Sequence, residues 1–193
     1  MSTPAIRPYG AWPSPILAAD VVEGGLRLSG AAMIGDEVWW VEGRPAEGGR
    51  QTIVRRRSDG STVDVLPAPW NARSRVHEYG GSSWLAVPTD GGHLVVFANY
   101  ADQRLYRVVD DAIEPLTPAT HSSVRYAEPT LGPGGTEIWC VRESHVDGRV
   151  VRQLAAPAVD ARHQVRGRFQ LHVDAPAAQL LRIRADERRD VEG

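Results

Sequence analysis

A chain of 193 residues is long enough for one domain with its own core, and 42% hydrophobic with 24% charged residues is ordinary globular composition. A net charge of −2 offers no long-range attraction to nucleic acid or to an anionic membrane, and no apolar run approaches the ~18 residues of a bilayer span. The basic residues are all arginine, and the single Cys140 excludes an internal disulfide and suits a reducing cytoplasm, where the chain is expected to reside.

Residues 1–25 lack a basic region followed by an uninterrupted apolar segment, so they read as an N-terminal extension and not as a signal peptide. From Leu26 onward the sequence is a series of short runs rich in Val, Ile, Trp and Thr. These runs are too short and too often punctuated for helices. The first group is "AAMIGDEVWWVEGR", "RQTIVRRRS" and "STVDVLP", with "IGDE" and "SDGS" as hairpin turns because Gly and Asp tolerate positive φ. Alternation along "RQTIVRRRS" sends Arg55 and Arg57 to one face and Arg56 to the other, a pattern for salt bridges more than for nucleic acid.

The second group, "SSWLAVPTDGGHLVVFANYADQRLYRVVDDAIEPLTP", repeats this grammar, and a third begins at "YAEPTLGPGGTEIWCVRE". A turn-rich repeat of about 40–50 residues, each of about four strands, is the signature of a β-propeller blade. The expected fold is therefore all-β: a partial β-propeller of about two and a half to three four-stranded antiparallel blades. Its blades cover 26–67, 82–118 and 126–160 within an incomplete propeller over 26–160. The segment 161–193 loses the hairpin rhythm and becomes arginine-rich. It is expected to be irregular or helical, with Leu180, Leu181 and Ile183 on one side of a helix.

Chemistry-bearing motifs are few. There is no G-x-S-x-G elbow, and Cys140 lies in the apolar run "TEIWCVRE", where a buried structural thiol is expected. The six histidines show no metal-ligand spacing and "GRPAEGGR" lacks the Lys-Ser/Thr of a phosphate loop, so neither metal nor cofactor is expected. Two charged stretches remain. "EGRPAEGGR" reads as a longer hairpin in which Arg44 and Arg50 pair with Glu42 and Glu47, or else as a charged loop facing a substrate chamber. "VHEYGGSSW" reads as a joint between blades. There Gly80 and Gly81 supply angles or close approach that side chains forbid, and His77 and Glu78 hydrogen-bond to a neighbouring blade. A catalytic use of His77 with Glu78 as a base pair lacks a nucleophile and ranks behind these readings.

Five stretches in one order, "YGAWPSPI" (Tyr9–Ile16), "WWVEGRPAEGGR" (Trp39–Arg50), "DVLPAPWNARSRVHEYGG" (Asp64–Gly81), "ADQRLYR" (Ala101–Arg107) and "LTPATHSSVRYAEP" (Leu116–Pro129), carry a resemblance. Over about residues 8–155 the chain resembles the N-terminal β-propeller of the prolyl oligopeptidase (S9) family of serine peptidases, nearest its acylaminoacyl-peptidase or dipeptidyl-aminopeptidase-like branch. The resemblance implies a propeller of about seven blades capping a C-terminal α/β-hydrolase domain, whose Ser, Asp and His form the triad. None of that triad maps onto these residues. The chain is then expected to be a non-catalytic, substrate-gating propeller fragment of an exopeptidase acting on short or N-acylated peptides, inactive alone. Arg44, Glu47, Arg50, His77 and Glu78 are its candidate peptide-binding or gating residues, and no residue is assigned to catalysis. Near Val151 the text departs from the family pattern, as a truncation or an altered reading frame would make it. The alternative is a stand-alone protein- or peptide-binding module completed by oligomerisation, with self-association through exposed blade edges.

Overall fold

In a computed structural model the described residues are 25–157 apart from positions 90, 110 and 134, together with 6–11, 14, 15 and 17. Most of the N-terminal extension, and the tail with Leu180, Leu181 and Ile183, lie outside the described residues. Eleven strands and one 3-10 turn form among the described residues. The first sheet holds β1 (Arg27–Ile34), β2 (Glu37–Arg44), β3 (Arg50–Arg56) and β4 (Thr62–Asp64). The second holds β5 (Trp84–Thr89), β6 (Gly92–Ala98), β7 (Leu105–Val109) and β8 (Ala112–Pro115), and the third β9 (Val124–Leu131), β10 (Ile138–Val146) and β11 (Arg149–Ala155). The fold class read from the sequence stands: all-β, two sheets of four strands and one of three, every neighbouring pair antiparallel.

Local chemistry explains the hairpins. Ile34 pairs with Glu37 across Gly35–Asp36. Arg57 donates its backbone N–H to Ser61, while the Asp59 carboxylate accepts the Ser61 N–H at 2.8 Å. β3 ends at Arg56, so the alternation expected through Arg57 stops one residue early. Arg55 turns inward to Glu37 and His93, whereas Arg56 and Arg57 are exposed. Strand structure continues to Ala155, so the departure in composition near Val151 falls inside β11 and does not end the sheet.

Side chains alternate between the two faces of a strand, so every sheet needs a neighbour for each apolar face. The second sheet has both. Toward the first sheet it gives Trp84, Val95, Phe97 and Tyr106 to a cluster with Ile34, Trp39, Val41 and Ile53. Toward the third it gives Val87, Leu94, Val96 and Leu105 to a cluster with Tyr126, Leu131, Ile138 and Cys140. The three sheets therefore stack in chain order with two buried seams. Cys140 is a buried free thiol in the second seam, as its apolar run required, and burial pushes its pKa up to about 12.

Candidate functional site

The charged hairpin between β2 and β3 closes through a 3-10 turn, Pro45–Glu47, whose proline suits the first helical position. Arg44 is the hub. It makes two short bonds to Asp64 on β4 (2.6 and 2.7 Å), two to Glu42 (2.9 and 3.2 Å) and a longer one to Glu47. Arg50 is buried. Its Nε pairs with Glu47 and its terminal nitrogen donates to the carbonyls of Leu66 and Trp70. The hydrogen bond from Arg44 holds the Asp64 carboxyl below the usual carboxylate range, and Arg50 does the same for Glu47. The expected pairing of Arg44 and Arg50 with Glu42 and Glu47 is present, with Asp64 as a member that sequence spacing did not reveal. Both guanidinium groups are spent on internal acceptors, so the cluster braces the hairpin against β4 and the chain beyond it.

The second candidate stretch runs from Asn71 to Ser83 and touches all three sheets. Ala72 N–H donates to the Gln51 carbonyl on β3, and Arg73 N–H to Ala98 on β6. Arg75 N–H donates to the buried Gln103 side chain at 2.7 Å, with the Arg73 and Arg75 guanidiniums stacked over Tyr100. Beyond Val76 the chain makes a tight turn in which His77 (φ 55°) and Glu78 (φ 63°) are both left-handed, a conformation costly for residues with a Cβ. Two glycines complete it for different reasons. Gly80 has φ 88°, and a Cβ there would lie 3.1 Å from the Ser74 carbonyl. Gly81 lies so near β9 that a Cβ would sit 2.6 Å from the Glu128 carboxylate, which itself accepts the Ser82 N–H at 2.7 Å.

The expected bonding of the His77–Glu78 pair to a neighbouring blade takes a different form. Their side chains are exposed, and it is the backbone N–H of His77 that reaches the third sheet, donating to Glu143 at 3.1 Å. Glu143 is 1% exposed. Its carboxylate also meets His145 at 2.8 Å, Arg152 at 2.9 Å and, more distantly, Arg125, which donates to the Arg75 carbonyl. Burial alone would raise the Glu143 pKa; the donors from His145, His77 and Arg152 outweigh it and hold the group ionised. Register explains the cluster, since Arg125, Glu143 and Arg152 lie directly opposite one another across β9, β10 and β11. Sequence reasoning missed Glu143. The Asp147–Gly148 turn contains the signal, because counting outward from it pairs residue 143 with residue 152.

No hydrogen bond or ion pair joins the Arg44–Glu47–Arg50 cluster to His77 or Glu78 among the described residues. They are two sites, and the Leu66–Ala72 backbone that Arg50 and Gln51 hold runs between them. No group of three His, Cys, Asp or Glu among the described residues is placed to hold a metal, and no described helix is long and apolar enough to cross a membrane. What the joint can do is present the His77–Glu78–Tyr79 tip from a backbone pinned to two sheets.

No family model and no curated protein sequence matches the chain. Solved structures do. A puromycin-hydrolyzing peptidase of Mycobacterium tuberculosis is 48% identical with a TM-score of 0.73, over 82% of this chain and 26% of that one. A puromycin hydrolase is 45% identical with a TM-score of 0.70, over 83% of this chain and 27% of its own, and its serine-to-alanine mutant in complex with PGG matches equally. The chain thus spans about a quarter of the length of the structures it matches.

Proposed function

We propose that this chain, a relative of the prolyl oligopeptidase (S9) peptidases over four-fifths of its length, is a non-catalytic propeller section that walls and gates a peptidase chamber. The observation that carries the reading is the 45–48% identity to puromycin-hydrolysing peptidases over 82–83% of this chain. An α/β-hydrolase domain outside these residues would do the chemistry, on puromycin, which the relatives' names carry, or on short or N-acylated peptides in the cytoplasm.

Within this reading His77 and Glu78 face the substrate, since their side chains are exposed on a fixed backbone. Arg44 and Arg50 would meet a peptide carboxylate only by releasing Asp64, Glu42 and Glu47, so Arg44, Glu47 and Arg50 act together as bracing. The test is a chimera in which residues 25–157 replace the matching section of the puromycin-hydrolyzing peptidase. Retained puromycin hydrolysis with continued exclusion of long polypeptides is the expected result. Loss of size selection in a folded, puromycin-active chimera refutes the gating role. Hydrolysis of chromogenic acyl-amino-acid substrates by this chain alone, blocked by a serine-directed inhibitor, refutes the non-catalytic one.

A further inference from the structure

A guanidinium carries a fixed charge and several N–H donors, so it needs acceptors wherever water is partly excluded. Among the described residues, every buried or half-buried arginine but one has them. Arg44, Arg50, Arg55 and Arg107 pair with carboxylates, Arg104 and Arg125 donate to backbone carbonyls, and Arg142 donates to the Gln153 side chain. The exception is Arg75, which is half-buried although its guanidinium makes no hydrogen bond or ion pair among the described residues. Arg73 is exposed and equally unpaired. The alternate positions Ala72, Ser74 and Val76 are buried, so Arg73 and Arg75 share the outer side of the segment that crosses between the sheets.

Both guanidiniums lie over the Tyr100 ring, 4.9 and 4.2 Å from its centroid. The face of a ring attracts the cation but accepts none of its in-plane N–H groups, so stacking fixes the two guanidiniums and leaves their donors open. The backbone beneath them is held. Arg73 N–H donates to the Ala98 carbonyl at 3.0 Å, Arg75 N–H to the buried Gln103 side chain, and Tyr100 N–H to the Asn71 carbonyl. The Arg75 carbonyl accepts from Arg125 at 3.0 Å. No acid of the chain neutralises the pair. Asp102 is taken up by Asn99, Tyr106 and the Arg104 N–H, and Glu143 by its own donors. Two like charges gathered on one ring repel until an anion joins them, and a stacked guanidinium presents the planar fork that a carboxylate matches.

We infer that Arg73, Arg75 and Tyr100 form an oxyanion site that takes the C-terminal carboxylate of a short peptide. The choice of a peptide rests on the gating reading, whereas the oxyanion site stands on the two unpaired arginines. Glu78 sharpens the choice of anion. Its backbone N–H bonds the Arg75 carbonyl at 3.2 Å and its side chain is exposed, so a negative charge stands within one turn of the site. That charge repels a dianionic phosphate more than a singly charged carboxylate. Arg73 and Arg75 thus do what Arg44 and Arg50 cannot, because the latter are spent on internal acceptors.

The test is a nuclear magnetic resonance titration of the full 193-residue chain with an N-acetylated dipeptide acid, with the same dipeptide as its C-terminal amide, and with inorganic phosphate. The acid is expected to shift the Arg73, Arg75 and His77 backbone amides, and the C-terminal amide to leave them in place. Arg75→Gln should weaken binding of the acid about tenfold or more, the scale of a hydrogen bond to a charged group. Arg56→Gln, which removes an exposed arginine of the first sheet, should leave that affinity unchanged. Should Arg75→Gln alter the far-UV circular dichroism, the exposed Arg73→Gln decides in its place, with a loss of several-fold expected. Equal response to acid and amide, no response to either, or tighter binding of phosphate than of the acid overturns the inference. So does a folded Arg75→Gln chain that is less stable but binds the acid as before, since the arginines would then only cover Tyr100. The gating reading fails separately: acid binding by the full chain stands even where the chimera loses size selection, and a size-selective chimera stands even where the full chain ignores the acid.

Discussion

The first and second seams join sheets of the same design with different materials. The first is aromatic: Trp39 stacks on Trp84 (6.3 Å between centroids), and Trp70 meets Phe97 and Tyr106 edge-on. Its rim is titratable, with His93 packed on Trp39 at 4.9 Å and facing Glu37 and Arg55. The second is chiefly aliphatic, built on Leu94, Val96, Leu105, Leu131, Ile138 and the Cys140 thiol. Ring contacts have preferred geometry and so fix orientation, whereas branched aliphatic contacts are largely non-directional. The polar joint resolves this difference. Glu143 and Glu128 grip the Val76–Ser82 turn where the second sheet meets the third, supplying direction that the second seam lacks.

Four experiments bear on that contrast. Trp39→Ala is expected to cost about 3–5 kcal/mol in urea unfolding, while Leu94→Met in the second seam costs less than about 1.5 kcal/mol. Equal costs would erase the distinction between directional and non-directional seams. Glu143→Ala is expected to cost about 1.5–3 kcal/mol, the scale of a hydrogen bond to a charged group. It should also speed hydrogen exchange of the His77 amide far more than that of Ile53; uniform acceleration would make Glu143 an ordinary core group.

The third experiment is a pH titration of stability. Burial, aided by Arg55 and opposed by Glu37, holds the His93 pKa below its ordinary 6.5. The folded chain then binds fewer protons than the unfolded one, so stability is full above 6.5 and falls as pH drops toward the folded value. The depressed Asp64 and Glu143 carboxyls contribute their own losses only in more acid solution. His93→Gln should flatten the slope just below neutrality, and an unchanged slope would place the titrating group elsewhere. The smallest effect is kinetic: native Cys140 should resist alkylation at neutral pH, with its Sγ against the Ala155 carbonyl. If the seams open independently, Trp39→Ala leaves that resistance intact.

The strand rhythm was legible because each apolar run is bounded by Gly-Asp turn chemistry, and local chemistry suffices for a hairpin. The roles of Gly80 and Gly81 were legible for a similar reason, since paired glycines between apolar runs point to backbone constraint. Partners distant in the chain were not. Asp64 lies 20 residues from Arg44 and Glu143 lies 66 from His77, and nothing in local composition measures those separations. The His-Glu pair drew attention through its side chains, yet the contact that matters is a backbone N–H, which every residue but proline owns. The third sheet was legible in its extent, since β11 ends at Ala155 within the expected blade over 126–160. The number of its strands was not, because the text near Val151 loses the turn chemistry that bounds the earlier runs.

The consecutive left-handed residues at His77 and Glu78 have a stereochemical consequence. An L-residue in that region carries a cost of about 1–2 kcal/mol, and its mirror image carries none. A free peptide copied from residues 73–84, lacking Glu143 and Glu128 to hold it, would turn with the opposite hand. Antibodies raised against it would miss the folded chain, whereas a peptide assembled with D-histidine and D-glutamate at those two positions would keep the native backbone path.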